Sequence, residues 1–198
     1  MRSFLALLLL LCVALLPHQI VSHPIHLHVH LSGTVSHATQ ARELEAKAYA
    51  AFIQSRAPNM QRTTAIKIAR VVQATAREDH VDPTLLLAIM ETESNFRVKV
   101  RNACCYGLMQ VALVVHRGLV RQTLVNYHSK SLYDPAVNIR VGAVILKHAM
   151  RTTHSIQQAL LRYNGALEWN SYPSKVLWRR RAARRFVSWY RREHQTVT

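Results

Sequence analysis

After residue 40, apolar residues recur every three to four positions, and the breaks between these runs carry helix-start chemistry. Ala41 to Gln54, rich in Ala, Leu and Glu, predicts a first helix. Asn59 to Thr64 interrupts it and offers hydroxyl caps. Ile68, Val72 and Ala76, four apart, predict a second helix over Thr64 to Ala76. Asp82-Pro83 pairs a capping side chain with a proline suited to the first helical turn, so a third helix should run from there to about Asn95. Val98 to Tyr106 reads as a loop, and Leu108 to Arg117 as a further helix. Asp134-Pro135 repeats the start signal, and Val137, Val141, Val144, Ile145 and His148 mark a helix to about Met150. Ser155 caps a helix reaching Tyr163, Asn164-Gly165 turns the chain, and Ser171 to Pro173 opens a last helix. The expected fold class is all-α, one domain of roughly seven or eight helices with a core starting near Thr63 and an added N-terminal helix.

The amino terminus follows a different rule. Arg2 precedes an unbroken apolar run from Phe4 to Leu16, closed by Pro17. About 13 residues is too short for a membrane span, which needs ~20, and suits a secretory signal peptide cut near Ser22. Ile20 is a poor match to the small-residue rule at the cleavage site. Leu11 before Cys12 weakens a lipid-attachment reading. Residues 23–62 then form a His-rich leader and the N-terminal helix. In His23 to Ala38, Ile25, Leu27, Val29 and Leu31 alternate with His26, His28 and His30. This period of two is strand-like, and three imidazoles on one face could hold a transition metal. No second ligand cluster completes such a site, so the segment reads as a leader and no metal or cofactor is assigned.

Composition narrows the class without choosing a partner. The chain has 198 residues, 49% hydrophobic and 18% charged, a globular rather than a disordered balance. Its net charge of +16, from 26 basic and 10 acidic side chains, draws it to polyanions: nucleic acid, anionic lipid or an anionic wall. Export, to a periplasmic or extracellular location, makes nucleic acid the least suitable. Removal of a signal leaves Cys104 and Cys105. Adjacent Cα atoms sit ~3.8 Å apart, below the usual disulfide range, so a strained vicinal bridge and a pair of buried thiols both stay open.

One acidic side chain stands out. Leu85, Leu86, Ile89 and Glu93 share a stripe of the third helix, whereas Glu91 should face solvent. A carboxyl against apolar surface resists ionisation, and a carboxylic acid still protonated near neutral pH can give its proton to a leaving oxygen. Glycosidic bonds are broken this way. A buried ion pair or a carboxylate reaching back to water would explain the position equally well at this stage.

Glu93-Ser94, then GLMQ at Gly107 to Gln110, then Tyr163-Asn164-Gly165 fall in the order of a known pattern. With Asp82-Pro83 before LLLAIMETES, Tyr133-Asp134-Pro135 before NIRVGAVIL, and Tyr172 near SKVL, they resemble the catalytic domain of the soluble lytic transglycosylases. That family has a lysozyme-like fold shared with goose-type lysozyme. The match covers about Thr63 to Arg180, within a domain of residues 63–198 that ends in a basic helix. The resemblance implies cleavage of the bond between N-acetylmuramic acid and N-acetylglucosamine in peptidoglycan. Glu93 would be the lone acid/base. It would protonate the glycosidic oxygen and then take a proton from the sugar's C6 hydroxyl, giving a 1,6-anhydromuramyl product. Ser94 would orient that carboxyl, Gly107 would let backbone approach the sugar, Met109 and Gln110 would line the cleft, and Tyr163 and Asn164 would face Glu93 across it. The chain departs from the pattern at Ala103 to Tyr106, at Ala112 to Val115 and at Arg162, which bears on subsite shape.

A retaining or inverting glycosidase uses two carboxyls. Besides Glu93 the domain offers Glu78, Asp79, Asp82, Glu91, Asp134, Glu168 and Glu193. Asp82 and Asp134 look committed as helix caps, and Glu78 and Asp79 lie near a helix end, so a single acid is the simpler account. The rivals are a hydrolytic lysozyme of the same fold, a non-catalytic envelope-binding component of a secretion or conjugation apparatus, and a membrane-active cationic protein. In Lys175 to His194, Trp178, Phe186, Trp189 and Tyr190 interleave with seven arginines. That segment docks its aromatics on the core, rests on anionic membrane or wall polymer, or binds phosphate backbones, the last disfavoured by export. A monomer is expected.

Overall fold

A computed structural model describes residues 31–102, 104–123, 129–166 and 169–195, with side chains from residue 37 onward. The signal segment, Cys12, the cluster His26, His28 and His30, and Glu168 lie outside the described residues. Seven α-helices appear among the described residues: α1 (Leu31–Arg56), α2 (Arg62–Asp79), α3 (Pro83–Ser94), α4 (Arg117–Thr123), α5 (Pro135–Arg151), α6 (Ile156–Asn164) and α7 (Tyr172–Gln195). A short 3-10 turn covers Ser129–Tyr133.

Local chemistry explains the helix starts. Asp82 accepts from the Thr84 backbone N–H, Asp134 from those of Ala136 and Val137, and Ser155 from that of Gln158. In each case a side-chain oxygen satisfies N–H groups that the first turn leaves unpaired. Asp82 also takes a two-pronged bond from Arg180 of α7, at 2.9 and 2.6 Å. The ends are equally local: His80 and Gly165 adopt left-handed backbone and stop α2 and α6.

α3 is the spine of the molecule. Nine of its 12 residues are buried, because α2 and α7 pack against it. Leu85, Leu86, Leu87, Ile89 and Met90 are all essentially inaccessible, each contributing about 1.5–3 kcal/mol of apolar burial. α1 covers α2 and α7, and α5 bridges α2 to α6.

Three expectations need correcting. Leu108 to Arg117 is not a helix. Residues 107–110 form a turn, Val111–Ala112 pairs antiparallel with Cys105–Tyr106 as strands β2 and β1, and helix resumes only at Arg117. The cause is backbone: Gly107 and Gln110 sit at φ +73° and +47°, incompatible with a continuing right-handed helix. The fold is therefore mostly helical with one two-stranded ribbon. Second, α1 reaches back to Leu31, so residues 31–38 of the alternating segment are helical, not extended. Third, the core begins before Thr63, since Ala48, Tyr49, Phe52 and Ile53 of α1 are part of it.

Candidate active site

Glu93 lies in the last turn of α3. The helix stops after Ser94 because Asn95 and Phe96 both take left-handed backbone, at φ 48° and 59°, and return their N–H groups to Glu91 and Met90. Such a conformation is costly for a phenylalanine. It is held by complete burial of the Phe96 ring, edge-on to Phe52 at 6.3 Å. The chain thus turns away directly beyond Glu93 and leaves its carboxyl at the mouth of a cleft.

The opposite wall is the 107–110 turn, fixed from three helices. Ser94 Oγ lies 2.8 Å from the Leu108 carbonyl and 3.0 Å from that of Met90. Tyr163 of α6 donates its hydroxyl proton to the Met109 carbonyl at 2.8 Å. Asn138 of α5 accepts from the Met109 N–H at 2.8 Å and donates to the Tyr106 and Leu132 carbonyls at 2.8 and 2.9 Å. Gly107 is required here, because a Cβ would collide with the Asn138 side chain and the Leu132 carbonyl. Gly142 of α5 likewise leaves the room that the Met109 side chain fills.

Glu93 itself is half-buried. Burial raises its pKa above the usual glutamate value, and a hydrogen bond from Tyr172 partly offsets that rise. The Tyr172 hydroxyl, on the first residue of α7, donates to Glu93 Oε1 at 2.6 Å. A cleft of ≈ 240 Å³ opens from this carboxyl, lined also by Cys105, Gln110, Val111, His116, Tyr163 and Asn164. No other carboxylate lines it among the described residues. Gln110 donates to the Gly107 carbonyl at 2.8 Å, while its buried Oε1 has no partner among the described residues. The cleft can therefore present a proton donor, a glutamine and one tyrosine along its wall to a ligand. Cys104 and Cys105 are free thiols at its rim, and burial pushes the Cys105 thiol up to about 12.

The structure thus brings Glu93, Gln110, Tyr163 and Asn164 together around one cavity. Ser94, Gly107 and Met109 stand behind its wall. Ser94 bonds the turn rather than the Glu93 carboxyl, Gly107 meets Asn138 and Leu132, and the Met109 side chain is wholly buried. The expectation for Glu91 is overturned. It is 8% exposed, because α3 has no solvent face at that point, and its Oε1 lies 3.6 Å from both Arg56 of α1 and Arg179 of α7. Two residues that sequence reasoning did not place at the site prove central. Tyr172 touches Glu93 across 79 positions, a distance no local periodicity bridges. Asn138 could have been noticed as a polar residue interrupting the apolar stripe of α5.

A helical domain that seats a lone, partly desolvated carboxyl beside a Gly-Leu-Met-Gln turn defines the class. The chain matches the Transglycosylase SLT domain over residues 70–173, more than half of its length, and belongs to that family. It is also similar to a protein of Enterobacteria phage PRD1 named "Transglycosylase", at 28% identity over 114 residues, covering 54% of this chain and 40% of that relative. The chain thus spans well under half the length of the phage protein. No solved structure matches it.

Proposed function

We propose that this protein is an exported lytic transglycosylase that cleaves the β-1,4 bond between N-acetylmuramic acid and N-acetylglucosamine in peptidoglycan. The observation that carries the proposal is the state of Glu93, a single cleft-facing carboxyl whose burial favours the protonated form. Its proton passes to the glycosidic oxygen as the C1–O bond breaks. The resulting carboxylate then takes the proton of the C6 hydroxyl, whose oxygen closes on C1 to give the 1,6-anhydro ring. No water is consumed, which accords with the absence of a second carboxyl along the cleft among the described residues. Tyr172 holds Glu93 in register. Tyr163, Ser94 and Gly107 position the turn, and Gln110 and Asn164 bind the sugar.

Mass spectrometry of released muropeptides tests the reading. Anhydro products from wild type and none from Glu93→Gln support it. Products heavier by one water would assign a hydrolytic lysozyme instead, and equal wall clearance by both proteins would remove Glu93 from the mechanism.

The basic helix supports envelope contact. Phe186 and Tyr190 pack inward, Phe186 edge-on to Phe52 at 5.6 Å. Trp178 and Trp189 stay 56% and 47% exposed and, three turns apart, share a face with Arg181, Arg185 and Arg192. Trp beside Arg suits the headgroup boundary of an anionic bilayer. Co-sedimentation with phosphatidylglycerol vesicles but not phosphatidylcholine vesicles, lost in Trp178→Ala/Trp189→Ala, is the expected result.

A further inference from the structure

Two thiols stand on the lip of the Glu93 cleft, and glycan cleavage makes no use of either. Their backbone is a hairpin. Gly107 donates its N–H to the Val100 carbonyl at 2.9 Å, Arg101 pairs with Tyr106, and Asn102 and Cys105 exchange N–H bonds at 3.1 and 3.4 Å. Cys104 is therefore exposed at the hairpin tip, while Cys105 is half-buried in β1 opposite Ala112 of β2. The two side chains are hydrogen-bonded to each other, and both line the cleft. They differ in reactivity. Burial is the first influence pushing the Cys105 thiol up to about 12, followed by its bond to Cys104 and the charges of Cys104 and Glu93. A thiol held in this way is inert by itself. Two of those influences belong to Cys104, and they disappear once the Cys104 sulfur is covalently engaged.

A disulfide between neighbours in sequence closes a tight ring, and strained, exposed disulfides are the ones that exchange readily. We propose that Cys104 and Cys105 form a thiol–disulfide exchange site for small organic disulfides, with Cys104 the attacking group and Cys105 the resolving one. The Cys104 thiolate displaces one thiol from the incoming disulfide and forms a mixed disulfide. The Cys105 thiolate then attacks the Cys104 sulfur, expels the second thiol and leaves a bond between the two cysteines. Two protein thiols are oxidised, one external disulfide is reduced to two thiols, and each protein proton ends on a released thiol. The ring is too short for a relaxed trans peptide, so it twists the one that carries the Cys105 N–H. That loosens the bond to Asn102 and the pairing with Ala112, which with Val111 lines the cleft. Oxidation of the hairpin thus reshapes the wall beside Glu93. The exchange is independent of the reaction proposed for Glu93, and only its effect on cleavage rests on that reading.

Glutathione disulfide is the probe, applied to the folded full-length protein. After an acid quench, free thiols are blocked with iodoacetamide and the chain is cut with trypsin, which releases residues 102–117 as one peptide holding both cysteines and no other. In wild type that peptide should be unalkylated, free of glutathione and lighter by two hydrogens, and dithiothreitol should return both thiols to alkylation. Cys105→Ser should retain one glutathione on Cys104, and Cys104→Ser should take up none. Oxidised wild type should release muropeptides about fivefold more slowly, the scale of one hydrogen bond lost from the wall, and recover with dithiothreitol. Cys104→Ser should keep one rate with and without the disulfide. Glutathione that stays on wild type, or uptake at Cys105 in Cys104→Ser, overturns the division of roles. Equal release by oxidised and reduced wild type overturns the link to the cleft. If neither state cleaves glycan while the mass pattern holds, the exchange site stands and the transglycosylase reading falls.

Discussion

Glu91 and Glu93 stand two residues apart on one helix, and burial raises the pKa of both. Their surroundings nonetheless give them different work. Glu91 looks away from the cleft, between Arg56 and Arg179, whose charges offset part of the burial. Its Oε2 is buried with no partner among the described residues. Glu93 has no ion-pair partner among the described residues. Its partner is the neutral phenol of Tyr172, and the cleft opens in front of it. A perturbed carboxyl is thus not enough to mark an acid catalyst. What separates the two is an open cleft and a partner that orients the carboxyl without fixing its charge.

The comparison can be broken most sharply at Glu93. Glu93→Gln should lower muropeptide release by about 10²–10⁴-fold, the usual worth of a general acid, while thermal denaturation stays near that of wild type. Tyr172→Phe comes next. The phenol bonds the ionised carboxylate, so its loss should raise the Glu93 pKa further. Activity that requires the protonated acid falls as pH rises through that pKa, so the basic limb of the pH–rate profile should move to higher pH. Turnover at the optimum should drop about tenfold.

Effects on the Glu91 side should be smaller and confined to stability. Arg56→Met/Arg179→Met leaves a buried carboxyl without cations. With both arginines partly exposed to solvent, the loss should be about 1–2 kcal/mol in urea denaturation. Glu91→Gln should have the smallest effect, with turnover unchanged. Because the folded protein holds the Glu91 pKa above its unfolded value, its stabilising contribution is full below the ordinary glutamate range and is lost as pH rises through the folded pKa. Wild type should therefore gain on Glu91→Gln as pH falls. A constant difference across pH would contradict the assignment of burial as the dominant influence.

Much of the fold was legible because its punctuation is local. Asp82-Pro83, Asp134-Pro135 and Ser155 cap where their side chains can reach their own backbone, so four to five residues decide each start. Glu93 was legible because it interrupts an apolar stripe. The same logic failed for Glu91, since it assumes that a helix has a wet side, and α3 is enclosed there by α1 and α7. It failed again at 108–117, where the apolar run fits a helix but the left-handed Gln110 belongs to a turn secured from residues 94, 138 and 163. Tyr172 is legible only as part of a family pattern, because its partner lies on another helix far along the chain.

Asn138 shows how narrow the tolerance of this site is. Its amide answers two carbonyls and one N–H that belong to two separate stretches of backbone, Tyr106 to Met109 and Leu132. Aspartate would set a negative oxygen against two others, leucine would silence all three, and glutamine would overreach by a methylene. Saturation mutagenesis at that codon, screened for wall clearance, should return little except the parent amino acid, so an engineer reshaping the pocket has freedom at its rim and almost none at this anchor.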